Sequence, residues 1–245
     1  MGISVGSTPR PGHSNSGGST QWESAPKEFT RRSGIVMEIW GPTGTGRTSL
    51  ALTAPGPIAF IYFHEKIDGI VQKYANEKDI RMFKAGGVFR GEDKDIQKEA
   101  WTAMEAFESA YYDAFNFART VIVDTHNEAW LLERLAEFGA PKPSGGQVKN
   151  NYGPVNNRWM SMLNMARSKA ESKDMTNVIF IGQAEDEWKP NAKGFDSKTG
   201  RIVRMASTAS NQVLLKSDVS IKTDKKDGNF ISTVMKGYWN ADSED

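Results

Sequence analysis

The chain has 245 residues, enough to bury the core of one large α/β domain, and 31 lysines and arginines stand against 30 acids for a formal charge of +1. That balance excludes a global basic field for nucleic acid, so any such contact must come from a local patch. The absence of cysteine excludes disulfides, thiolate metal sites and a cysteine nucleophile, and it fits a reducing compartment. No apolar run approaches membrane-spanning length and the N-terminus lacks the apolar region of a signal peptide, so a soluble cytoplasmic protein with no membrane partner is expected.

Residues 1–33 are dominated by Gly, Ser, Pro and Thr, with too little apolar content to offset ordering entropy, and read as a disordered tail in which Trp22 and Phe29 are candidate anchors. One domain is expected over 34–240, followed by a short acidic end at 241–245. The domain starts with an apolar strand, Ile35 to Trp40, that runs into Gly41-Pro42-Thr43-Gly44-Thr45-Gly46-Arg47-Thr48 and then a helix start at Ser49. Strand, glycine bend and helix in this order form a phosphate-cradling P-loop, with arginine where lysine is expected. Glycines let backbone N–H groups crowd around a phosphate, and the helix N-terminus adds its positive end. Gly41 to Ser49 are therefore the candidate triphosphate-binding residues, and Thr48 supplies a hydroxyl for Mg²⁺.

Next come a strand over Pro57 to Phe63, a short helix over Asp68 to Tyr74 and a strand near Ile80 to Phe83. A long helix is predicted from Asp95 to Phe117, where Trp101, Phe107, Tyr111, Phe115 and Phe117 make an aromatic stripe best read as core packing. The apolar strand Thr120 to Asp124 ends in a carboxylate. A strand beside the P-loop strand delivers such a residue to the same sheet edge, so Asp124 is the candidate second metal-side group. Helices over Asn127 to Phe138 and Pro154 to Glu171 flank a Gly/Pro/Lys-rich loop, and a buried strand from Asn177 to Gly182 ends at Gln183. A polar stretch, Ala184 to Thr208, reads as a long loop. A helix near Ala209 to Leu215 and a hairpin turning at Asp227-Gly228 complete the pattern. Alternating strands and helices predict a mostly parallel twisted sheet flanked by helices, an α/β fold with a C-terminal β-hairpin.

Taken together, the P-loop, the strand ending Phe63-His64-Glu65, the Asp124 strand, Tyr152 to Asn156 and Val178 to Gln183 resemble the RecA-like P-loop ATPase core. The likeness is greatest to the short phage Sak-type ATPases of single-strand annealing and recombination, and it spans roughly residues 35 to 237. The resemblance implies ATP and Mg²⁺ as cofactors, Thr48 and Asp124 as metal-side residues, and Glu65 or its neighbour His64 as the group that polarises the attacking water. It also makes Gln183 the sensor of the γ-phosphate, passing its state to a following DNA-binding loop. Thr125 stands where AAA+ ATPases carry a catalytic acid, which favours the RecA-like class.

The resemblance places single-stranded DNA contacts in two stretches: Lys142 to Lys149, and the stretch after Gln183 with Trp188, Lys189, Lys193, Lys198, Arg201 and Arg204. Cations for phosphates with aromatics for bases suit sequence-tolerant binding, although four acids dilute the second patch. A homo-oligomeric ring or filament is implied, with Lys222, Lys225 and Lys226 in the region that completes a neighbour's site. A single-strand-binding protein is the implied partner, and the host cytoplasm is the location if the chain is phage-encoded. Arg47 is longer and forked, so slow turnover is expected. A nucleotide-gated binding module with little hydrolysis and a small P-loop kinase are the competing readings.

Overall fold

A computed structural model describes residues 33–64, 67–86, 93–141, 152–190, 196–205 and 207–237. The strands are β1 (Val36–Gly41), β2 (Ile58–Tyr62), β3 (Ile80–Lys84), β4 (Thr120–Asp124), β5 (Asn177–Pro190), β6 (Asp196–Arg204), β7 (Val219–Lys226) and β8 (Asn229–Gly237). The helices are α1 (Arg47–Leu52), α2 (Asp68–Ala75), α3 (Asp93–Ala114), α4 (His126–Phe138), α5 (Gly153–Glu171) and α6 (Thr208–Lys216).

The sheet runs β3-β2-β4-β5-β1-β7-β8, with β6 paired to the outer part of β5. Every neighbour in the path from β3 to β7 is parallel, and β8 returns antiparallel on β7. The α/β fold with its C-terminal hairpin is thus the one the pattern predicts. One expectation is corrected: the Asp124 strand is not beside the P-loop strand. β5 lies between them, so Asp124 reaches the bend across the end of a third strand.

Alternating side chains of the central strands feed two apolar layers. Val121, Val123, Val178 and Phe180 face the layer built with α3, α4 and α5, while Ile122, Ile179 and Ile181 face the layer of α1 and α2. The aromatic stripe of α3 is core, as predicted: Phe107 and Tyr111 are fully buried, and the Tyr111 hydroxyl donates to the Met162 carbonyl at 3.0 Å. Two-sided burial explains why these strands read as continuous apolar runs.

The second correction concerns Ala184 to Thr208. β5 continues past the sheet edge to Pro190 and pairs antiparallel with β6, from Ala184 opposite Arg204 to Pro190 opposite Asp196. The stretch looked like a loop because both arms are solvated, and polar residues on both faces erase the alternation that marks a half-buried strand.

Candidate functional site

The ends of β1, β4 and β5 converge on a cleft of about 380 Å³ lined by Thr43, Gly44, Gly46, Arg47, Thr48, Ser49, His64, Asp124 and Gln183. Gly44 and Gly46 turn the chain with φ of 79° and 84°, a region that glycine enters without the steric cost of a Cβ. The bend ends at Gly46, the N-cap of α1, so the first-turn N–H groups, which lack intrahelical partners, follow directly. Gly41 serves a different need. A Cβ there would lie 2.3 Å from the Thr223 carbonyl oxygen, because β1 and β7 press together at that point. Thr45 then pins the bend to the sheet, donating to the Pro42 carbonyl at 2.7 Å and sharing a 2.7 Å hydrogen bond with the Thr223 hydroxyl.

The Thr48 hydroxyl donates to Asp124 Oδ2 at 2.8 Å. Asp124 is buried, and that burial pushes its carboxyl above the ordinary carboxylate range, with the Thr48 hydrogen bond and the charges of Arg47 and His64 pulling the other way. A desolvated carboxylate against a hydroxyl is an all-oxygen donor pair of the kind magnesium accepts, so these two residues fit the ion implied for the site. Among the described residues no cluster of three or more His, Cys, Asp or Glu could hold a metal by itself. An ion held by Thr48 and Asp124 would complete its shell with phosphate and water oxygens.

Arg47 lines the cleft, and its guanidinium donates to the Gly182 carbonyl at the end of β5's sheet-bound half. Burial there lowers its pKa from the usual arginine value, while Asp124 works against the shift. Gly182 itself makes room for His126 and Trp40: a Cβ at this position would meet His126 Cε1 at 2.7 Å and Trp40 Cβ at 3.3 Å. His126 is wholly buried, holds Ser210 Oγ at 3.1 Å, and is kept neutral by desolvation, its pKa lowered to about 3.

Gln183 sits at the root of the β5–β6 arm. Its backbone N–H donates to Asn127 Oδ1 at 2.8 Å and its side-chain amide donates to Glu128 Oε1 at 3.4 Å. Thr125, joined to Asp124 by a cis peptide, caps α4 by accepting from the Glu128 N–H at 3.3 Å. Asn127 and Glu128 were missed as site residues. The signal was present as Thr125-His-Asn-Glu128, a capping-box spacing that marks the helix start and puts an acid in its first turn.

Among the DNA-contact candidates, Trp188 is 56% exposed on the arm, with Lys198 Nζ 5.5 Å over its ring. The cations around it are paired: Lys198 with Asp186, Lys189 with Glu187 at 3.3 Å, and Arg201 with Glu187 at 3.9 Å. Arg204 is a correction. Its side chain turns inward, 15% exposed, to Glu38 at 3.2 Å, to the Ser210 carbonyl and to Asn211 Oδ1 at 2.9 Å. It neutralises Glu38, which is wholly buried beside β7 and also accepts from Ser220 Oγ at 2.9 Å. An arginine committed to a buried carboxylate is not a surface phosphate contact. Glu65, Lys142, Lys149 and Lys193 lie outside the described residues. On the final hairpin, Lys222 lies 5.8 Å over the Trp40 ring and 3.5 Å from Asp224.

No helix among the described residues is long and apolar enough to cross a membrane. A search of curated proteins returns no match. Among solved structures the chain is similar to the flagellar accessory protein FlaH from Methanocaldococcus jannaschii, with 10% identity, a TM-score of 0.40, and 84% of this chain and 79% of that one covered. The profile of the AAA domain family matches residues 33–238. That match, over nearly the whole described chain, shows that the chain belongs to the AAA domain family.

Proposed function

We propose that the chain binds magnesium-ATP at Gly41 to Ser49, hydrolyses it slowly, and uses the bound state to control contact between the β5–β6 arm and single-stranded DNA. It would act as a Sak-type phage recombination ATPase does, as a homo-oligomer working with a single-strand-binding protein. The observation that carries this reading is the double position of Gln183. It lines the phosphate cleft and also belongs to the strand that continues into the arm bearing Trp188.

Bound magnesium would neutralise and fix phosphate oxygens. Thr48 and Asp124 would hold it, exchanging their mutual hydrogen bond for ligation. One Arg47 nitrogen is committed to the Gly182 carbonyl, which restricts its reach toward a phosphate, and its planar fork follows the oxygens less freely than a lysine ammonium does. His64 stands on the cleft wall where a water-polarising group would act, with Glu65 next to it in sequence. The ion pairs on the arm are surface pairs of small individual worth, which incoming DNA phosphates can exchange. Trp188 supplies the stacking face.

The test is anisotropy of labelled single-stranded DNA with and without a magnesium-bound, non-hydrolysable ATP analogue, with phosphate release followed beside it. Nucleotide-dependent binding that Trp188→Ala weakens about tenfold is expected. Binding indifferent to nucleotide would overturn the gating. A second reading, a nucleotide sensor with almost no turnover, is favoured by the engagement of Arg47 with Gly182. DNA-stimulated phosphate release rejects it.

A further inference from the structure

The phosphate end of the cleft is defined by Thr48, Asp124 and Gln183, all on the β4/β5 side of β1. A nucleotide that ran from that end along the bend would bring its nucleoside out on the opposite side of β1, where β7 and β8 lie. Phe230, the second residue of β8, is found there. Its Cδ1, Cε1 and Cγ lie 3.4 to 3.7 Å from where a Cβ on Gly46 would sit, so one ring edge rests against the glycine bend. Phe230 is 65% exposed, in a run of exposed apolar residues on β8 with Ile231, Val234 and Met235, and it is the member of that run that meets the bend.

We propose that Phe230 is the base-stacking platform of the nucleotide site, an inference that rests on the P-loop reading and adds to it the group that recognises a nucleobase. Lys225, directly opposite Phe230 in the hairpin register, stands with Nζ 5.5 Å over the ring. A cation beside an aromatic face adds attraction for a stacked base bearing acceptor atoms on its edge. The platform is held in place by the Thr45–Thr223 hydrogen bond and by the close approach of Thr223 to Gly41. Those contacts fasten β7, and through its antiparallel pairing β8, to the bend that grips the phosphates. The base platform and the phosphate cradle are thus parts of one connected unit.

The experiment compares binding of magnesium-ATP and magnesium-tripolyphosphate, by calorimetry, to the native chain, Phe230→Ala and Phe230→Trp. Loss of a stacked base in Phe230→Ala weakens ATP about tenfold and leaves tripolyphosphate within about twofold, and Phe230→Trp restores ATP. Unchanged tripolyphosphate binding also shows that the variant is folded. Phe230→Ala binding ATP as tightly as the native chain, or losing both ligands equally, overturns the platform while leaving the P-loop reading intact. A native chain that binds neither ligand sinks the P-loop reading and this inference with it.

Discussion

Thr48 and Asp124 share a 2.8 Å hydrogen bond although one belongs to the helix after β1 and the other ends β4, with β5 between those strands. In this arrangement a buried carboxylate is hydrogen-bonded to a hydroxyl, and the charges of Arg47 and His64 act on it without forming an ion pair among the described residues. Asp124→Asn removes the cost of burying a charge while keeping the acceptor oxygen for Thr48. The variant is expected to melt no lower than the native protein and to lose magnesium-dependent turnover by about 10² or more. Calorimetric melting beside phosphate release checks both halves. A variant that is both inactive and much less stable would mean that Asp124 is structural.

Arg47 rests on the Gly182 carbonyl and carries a lowered pKa through burial. Replacing it by lysine offers a compact charge able to follow phosphate oxygens. Turnover of Arg47→Lys is expected to exceed that of the native chain by a factor on the order of 10², with nucleotide affinity little changed. Steady-state phosphate release at saturating magnesium-ATP measures it, and equal or faster turnover with arginine refutes it.

Arg204 and Glu38 test whether a predicted surface cation is an internal one. Arg204→Ala leaves Glu38 buried and without its counter-charge, which costs about 3–5 kcal/mol, whereas the double variant Arg204→Met with Glu38→Leu recovers most of it. Urea unfolding of Arg204→Ala, and of Arg204→Met, Glu38→Leu and their double, closes the cycle. A small single-mutant effect together with weakened DNA binding would return Arg204 to the surface role.

Glu133 on α4 is wholly buried, and neither carboxylate oxygen has a hydrogen-bond partner. Desolvation raises its pKa to about 8, with the charge of Arg158 lowering it and that of Glu108 raising it. Between its ordinary 4.5 and about 8 the folded chain keeps a proton that the unfolded chain has lost, so this group makes stability fall as pH rises and level off above that range. His126 has the opposite sign: its pKa drops from 6.5 to about 3, so its contribution is lost as pH falls through that window. The two slopes oppose each other at mildly acidic pH, and of these two groups Glu133 alone contributes from 6.5 up to about 8, with the same sign as the other buried acids whose pKa is raised, Glu38 and Asp124. Melting temperature is expected to decline over that upper interval, and Glu133→Gln to flatten the decline. An unchanged slope in the variant counts against the assignment.

Sequence patterning made the central strands, the helices and the glycine bend legible because burial on both faces and the φ demands of Gly44 and Gly46 restrict residue choice strongly. Thr48 was legible from the glycine-bend motif, and Asp124 and Gln183 because each stands at the end of an apolar run. What patterning could not supply was order across the sheet. No local feature of Ile122 or Ile179 says that β5 separates β4 from β1, since sheet neighbours are chosen by long-range packing. The β5–β6 arm was hidden for the reason that hides any strand solvated on both faces. Arg204 was misread because a cation in a polar stretch looks the same whether its partner is solvent or a carboxylate 166 residues earlier in the chain. Phe230 went unnoticed because its contact with Gly46 joins opposite ends of the domain.

β5 is a single strand of 14 residues whose first half is clamped in the sheet and whose second half projects from it. From Gln183 to Pro190 the projecting part spans roughly 23 Å at strand rise, so a swivel of about 10° at its base sweeps the far end through about 4 Å. A displacement near the cleft too small to disturb core packing thus becomes, at the outer end, a movement comparable to the spacing between adjacent strands.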